Sequence, residues 1–225
     1  MDEIDVAVAA TDPLAGSQAV RAYFGDAWPV VSQFDVLLRE HGVVRGLIGP
    51  REPGRLWERH LLNSAAAAPL VAGRPTVLDL GSGAGLPGVV LAAMLPQSRW
   101  VLLEPMERRV TWLTWVVGEL GLSNVEVVRG RAEDVVGRFS MHAVTTRAVG
   151  SLDKLYRWSG PLLRHGGVLV ALKGERAAEE VAAAQDLGER LGFRRARVDE
   201  VRTVDGVEPT SVVVVEKSGG RRGSR

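Results

Sequence analysis

Residues 77–92 read VLDLGSGAGLPGVVLA, an apolar run interrupted by Asp79 and followed by Gly81, Gly83, Gly85 and Gly88 around Pro87. A short apolar run, a glycine-rich turn and a second apolar run predict a strand, a tight loop and a helix. Such a loop brings backbone close to a ligand at the carboxyl end of the strand, because glycine has no side chain to intervene. Read from Gly83, G-A-G-L-P-G also satisfies the dinucleotide-binding pattern. No Gly-Lys-[Ser/Thr] follows, which excludes the phosphate loop of nucleoside-triphosphate enzymes.

The flanks decide the architecture. Upstream, Val20, Tyr23, Phe24, Val31, Phe34, Leu37, Leu38, Leu56, Leu61 and Leu62 recur at helical spacing, with Gly42, Gly46, Gly49, Pro50 and Pro53 marking a loop between them. After Gly73 and Pro75 the texture changes. Strands are predicted at 76–81, 99–104, 125–129, 142–147 and 168–174, separated by helical stretches. Continuously apolar strands alternating with helices indicate a mostly parallel sheet covered on both faces. A last pair, ARVDEVRTV (196–204) and SVVVVEK (211–217), closes the sheet as a hairpin and brings the strands to seven. The expected divisions are an acidic flexible leader over 1–17, a helical region over 18–72, an α/β domain over 73–217 and a flexible basic tail over 218–225.

Composition narrows the chemistry. The 225 residues, 46% hydrophobic and 24% charged, suit one globular domain with a small appendage. Cysteine is absent, which removes disulfides, Cys-ligated zinc and thiol nucleophiles. His41, His60, His142 and His165 lack metal-site spacing, so no metal is expected. No apolar run reaches the roughly 20 residues of a membrane span, and MDEID does not open a signal peptide, so the expected compartment is the cytosol. A formal net charge of +1 gives no global attraction to nucleic acid; such a partner needs a local basic patch.

Glu104 ends the second predicted strand about 20 residues after the glycines, where an acid binds both hydroxyls of a ribose. That much suits a nicotinamide dinucleotide and S-adenosylmethionine equally. Two details separate them. Asp79 lies inside the apolar strand, where a dinucleotide needs no carboxylate but a cofactor with an amino-acid tail and a sulfonium does. RGRAED (129–134) then follows the third strand, where Ala132 and Glu133 can meet an adenine ring. A nicotinamide oxidoreductase would also carry a Tyr-Lys, Ser or Cys motif beyond mid-sheet, and none is present. The prediction is a Rossmann-like class I S-adenosylmethionine-dependent methyltransferase. A methyltransferase of another RNA, of a small molecule or of a protein, a catalytically silent binding module and, as the weaker alternative, a nicotinamide-binding oxidoreductase remain open on these residues alone.

GSGAGLPG, RGRAED, TRA at 146–148 and LKGE at 172–175, in that order, resemble the bacterial small-subunit ribosomal RNA guanine-N7 methyltransferase family, RsmG or GidB. ERHLLNSA at 58–65 resembles that family's N-terminal helical region, although the family usually carries Asp where this chain has Asn63. The resemblance spans about Val43 to Lys217. It implies methyl transfer to N7 of a guanine in 16S ribosomal RNA, with the small ribosomal subunit as partner. It also implies cofactor contacts at Gly81, Leu86, Ala132, Glu133 and Arg147. Asp79, Gly83, Gly85 and Glu104 join that set from the motif reading. Arg131, Arg147 and Lys173 end or follow strands on the ligand face and are assigned to positioning the RNA. His60, Asn63 and Ser64 share one helix face by spacing, and Trp112, Trp115 and Trp158 are assigned to the core.

Overall fold

The run before the glycine loop forms β1 (Thr76–Leu80), flanked in parallel by β2 (Arg99–Glu104) and β4 (Met141–Arg147). The computed structural model describes residues 12–218. With β3 (Val125–Arg129), β5 (Leu163–Leu172), β6 (Arg197–Val201) and β7 (Thr210–Glu216), the sheet order is β3-β2-β1-β4-β5-β7-β6. Only β7 runs antiparallel to its neighbours, pairing with β5 and, as expected, with β6. Strand order reverses at β1 and β4, so a crevice opens outside their carboxyl ends, where ligands bind in sheets of this kind. The glycine loop lies there.

Helices cover both faces. α1 (Gln18–Phe24), α2 (Trp28–His41), α3 (Asn63–Ala65) and α4 (Ala68–Val71) precede the sheet; α5 (Gly88–Met94), α6 (Glu107–Glu119), α7 (Leu152–Ser159) and α8 (Ala177–Arg190) connect its strands. The N-terminal helices have no core of their own. Val31, Phe34, Leu38 and Leu61 share one buried cluster with Leu86, Val89, Leu102 and Trp112. Phe34 therefore backs the glycine loop directly: a methyl group at Gly85 would lie 3.1 Å from its ring.

Three boundaries differ from expectation, each for a local reason. β5 begins at Leu163 rather than 168 because Gly166 and Gly167 carry it through a register shift opposite Met141 and Ala143. A Cβ on Gly167 would lie 2.9 Å from the carbonyl oxygens of both Met141 and Arg164, so glycine alone passes. The leader reading fails over residues 12–17. Asp12 is buried and accepts the Trp57 N–H at 2.7 Å, with Arg39 at 3.8 Å, so this segment is tied to the helical region. Residues 1–11 and 219–225, the remainder of the leader and nearly all the basic tail, lie outside the described residues. Finally, Trp57–Leu62 is one turn of π-helix rather than α-helix.

Candidate active site

Three cavities meet along the carboxyl ends of β1, β2, β4 and β5. The first, about 430 Å³, lies between the β1 and β2 ends and is lined by Gly81, Glu104, Met106, Ala132, Glu133 and Trp158, among others. The second, about 570 Å³, lies beyond β4 and β5 between Arg59, His60, Asn63, Arg147, Lys173 and Glu180. The third, about 340 Å³, joins them under the 42–52 loop and includes Leu86, Gly83, Arg109, His60 and Arg147. Ala148 lines all three. With φ of 57° it is the one non-glycine at positive φ among the described residues, and conformations of that kind collect at functional sites.

The loop is shaped by two carboxylates with different tasks. Glu104, 2% exposed, accepts the Gly83 N–H at 2.9 Å on one oxygen and the Met106 N–H at 3.0 Å on the other. An ionised carboxylate offers about four acceptor positions, so two remain for the hydroxyls of a ribose. Asp79 is fully buried and lines none of the three cavities, contrary to the expectation that it meets the cofactor. It instead accepts the Gly88 N–H at 3.0 Å and the Thr145 hydroxyl at 3.2 Å, fastening the start of α5 to β1 and β4. Burial pushes its carboxyl up to about 6, against the opposing pull of the Gly88 N–H, Thr145 and the Arg147 charge. Gly88 permits this contact, since a Cβ there would fall 2.6 Å from the Asp79 carboxylate and 2.4 Å from Leu102.

Gly81 has φ of 72°, and a side chain on it would start 2.8 Å from Val149, so bare backbone faces the first cavity there. Gly85 is needed for packing against Val89 and Phe34 rather than for ligand access. Trp112 is core, as expected, and its indole N–H braces the loop by donating to the Ala84 carbonyl at 2.9 Å. Trp158 departs from its core assignment: it lines the first cavity and donates to Glu133 at 2.7 Å.

The three basic residues assigned to the RNA are divided. Arg131 lines the first cavity, Lys173 the second, and Arg147 the second and third. Lys173 is already engaged, donating to the Gly150 carbonyl at 2.7 Å and to Glu180 at 2.8 Å. Arg147 donates to the Arg59 carbonyl at 3.1 Å, the Asn63 side-chain oxygen at 3.4 Å and His60 Nδ1 at 3.0 Å. Burial draws its pKa down to about 10, while the Asp79 and Glu52 charges act the other way. The predicted face of His60, Asn63 and Ser64 splits: two meet Arg147, and Ser64 is buried in the core. Adjacent helical positions point about 100° apart, so Asn63 turns toward Arg147 while Ser64 turns into the core. Residues given no role from the sequence also build the site. Glu52, Arg59 and Arg109 stand in loops or on helix faces whose charges look like ordinary solvated ones in sequence.

Sheet order, the reversed β7 and a ligand crevice at the β1 switch define the class I S-adenosylmethionine-dependent methyltransferase fold. Among solved structures it is similar to the O-methyltransferase from Bacillus cereus in complex with SAH, with a TM-score of 0.57 and 15% identity over 82% of this chain and 91% of that one. Residues 29–206 match the family model GidB, rRNA small subunit methyltransferase G, and the chain belongs to that family. It is 44% identical to the ribosomal RNA small subunit methyltransferase G of Bifidobacterium longum over 92% of this chain and 99% of that protein. The same-named protein of Thermobifida fusca is 48% identical, over 91% and 86%. The chain is thus an S-adenosylmethionine-dependent methyltransferase, and the spare acceptors of Glu104 beside bare Gly81 backbone fit that cofactor. No helix of the described residues is long and apolar enough to cross a membrane.

Proposed function

We propose that this chain transfers a methyl group to N7 of one guanine in small-subunit ribosomal RNA. The observation that carries the reading is the continuity of the Glu104 cavity with the Arg147 cavities through Ala148, which gives a cofactor and an unstacked base adjoining places. The bound cofactor supplies an electrophilic methyl group on sulfur. Glu104 would hold the ribose, and Met106, Ala132 and Glu133, which line the same cavity, would hold the adenine. Arg147, which lines the second and third cavities, would hold the cofactor's carboxylate. Arg131 and Arg59, both exposed, bind phosphates at the rim, and Lys173 orders the second cavity through Glu180.

N7 of guanine carries a lone pair and no proton, so the reaction needs no general base. The site is built accordingly. His60, the histidine nearest the reaction, is engaged at both nitrogens, by Glu52 at 2.5 Å and by Arg147 at 3.0 Å. What these residues contribute is orientation of the base against the methyl group. The test is transfer from labelled cofactor to unmethylated small subunits and, in parallel, to naked 16S RNA, followed by digestion and chromatography of nucleosides. Label in 7-methylguanosine, with aniline cleavage of the borohydride-treated RNA at one position, is expected. Label in another nucleoside or in protein would overturn the assignment.

A further inference from the structure

Arg147 is held by a residue that is itself held. His60 Nε2 lies 2.5 Å from Glu52 Oε2, and its Nδ1 lies 3.0 Å from Arg147 Nη2. A carboxylate only accepts and a guanidinium only donates, so these partners fix the neutral imidazole with its proton on Nε2 and its lone pair toward Arg147. Burial and the Arg147 charge both hold the His60 pKa below its ordinary value, against Glu52. Arg59, 3.6 Å from Glu52, and Arg55 are the other charges acting at this point. Three of the five guanidinium N–H groups of Arg147 are thereby bound within the protein, which leaves two for a ligand.

We propose that Glu52 and His60 are positioning residues that orient Arg147 for methyl transfer, with Glu52 setting the tautomer that lets His60 accept. The proposal rests on the placement of Arg147 in the cofactor site given above. Without Glu52 the ring can carry its proton on Nδ1 and turn a donor toward a donor. Protonation has the same consequence, so cofactor binding weakens at acid pH through His60, even though the transfer itself takes no proton from the base. Asp79, whose charge also acts on Arg147 and whose carboxyl is raised to about 6, also takes up a proton on the acid side, so pH dependence alone does not identify His60.

A cycle of variants separates the roles. Glu52→Ala and His60→Ala are expected to weaken binding of S-adenosylhomocysteine by roughly ten- to a hundredfold, the scale of one lost charge-assisted hydrogen bond. The double variant is expected to be no weaker than either single one. His60→Asn places an oxygen near the former Nδ1, so it should keep most of the affinity, lose the acid limb of the binding profile and become indifferent to Glu52→Ala. Nitrogen-15 spectra of the wild-type ring should show the Nε2–H form, with the other tautomer appearing in Glu52→Ala. If His60→Asn is as damaged as His60→Ala, or Glu52→Ala leaves tautomer and affinity unchanged, the relay is wrong. Arg147→Ala is run alongside: unchanged affinity in that variant would overturn the placement of Arg147 instead.

Discussion

The two ends of the site are built from different materials. At the cofactor end, backbone makes the shape. Gly81 and Gly83 present bare main chain, and Glu104 and Asp79 hold that main chain through N–H groups 21 and nine positions away in sequence. At the other end, beyond Ala148, side chains make the shape. Arg147 is fastened to Arg59, His60 and Asn63, all more than 80 positions earlier, and Asn63 also donates to Thr210, 147 positions later. A backbone cradle tolerates little at its glycines. A side-chain cluster can lose one member and keep its fold, so damage there should cost less stability than damage at the cradle.

The sharpest way to break that contrast is Gly88→Val. Its Cβ would start 2.4 Å from Leu102 and 2.6 Å from the Asp79 carboxylate, with two further methyl groups to place. Overpacking of this kind costs about 3 kcal/mol, measurable by urea unfolding, and cofactor binding should be lost with it. A variant of native stability would mean that the Asp79 fastening can relax, and that the cradle is softer than its contacts indicate.

Glu104 comes next. Glu104→Ala removes the acceptor of the Gly83 and Met106 N–H groups together with the ribose partner, and should weaken cofactor binding by about 1–3 kcal/mol. Glu104→Gln sharpens the point. Its amide accepts at one end only, so either Gly83 or Met106 faces a donor, and calorimetry should find a loss approaching that of the alanine variant. Full affinity in the glutamine variant would show that the ribose is held elsewhere.

Lys173 tests the other end. Its ammonium is bound to Gly150 and Glu180, and Glu180 in turn accepts the Leu152 N–H at the start of α7. Lys173→Met should therefore lower stability by about 1–2 kcal/mol as well as turnover. Reduced turnover with unchanged stability and cofactor affinity would restore the direct grip on RNA that its position after a strand suggests.

This contrast also explains what was legible beforehand. The glycine loop, Glu104 and the Ala132-Glu133 turn are contiguous signals, each set by a local backbone requirement, and the sheet follows from apolar runs of strand length. Asp79 was visible as an exception in an apolar strand, but its partner was not. A buried carboxylate can serve a ligand or a helix start, and only the approach of Gly88 decides between them. Trp158 and Glu52 carry no local signal at all. Their roles come from which segments the fold brings together, as does the parting of Ser64, buried in the core, from His60 and Asn63 on Arg147.

The smallest expected effect concerns pH, and here the two ends should oppose each other. Asp79 has a folded-state pKa raised to about 6 from 3.8, so between those values the folded protein holds more protons than the unfolded one. Stability from this group is complete below the unfolded value and is lost as pH rises through about 6. His60 is shifted downward from 6.5. Its folded form holds fewer protons, and its contribution is present above 6.5 and is lost as pH falls through the lowered value. One group therefore makes stability fall with rising pH and the other makes it rise. Neither can exceed about 1.4 kcal/mol per pH unit, and where the windows overlap the wild-type slope is the difference between them. Asp79→Asn keeps an acceptor for the Gly88 N–H while removing the titration, so urea midpoints of that variant should rise from pH 5 to pH 6.5 more steeply than those of the wild type. His60→Asn should shift the slope the other way. Parallel curves for the wild type and Asp79→Asn would mean that the carboxyl under the cradle does not titrate in this range, and that any acid sensitivity of the enzyme lies wholly at the Arg147 end.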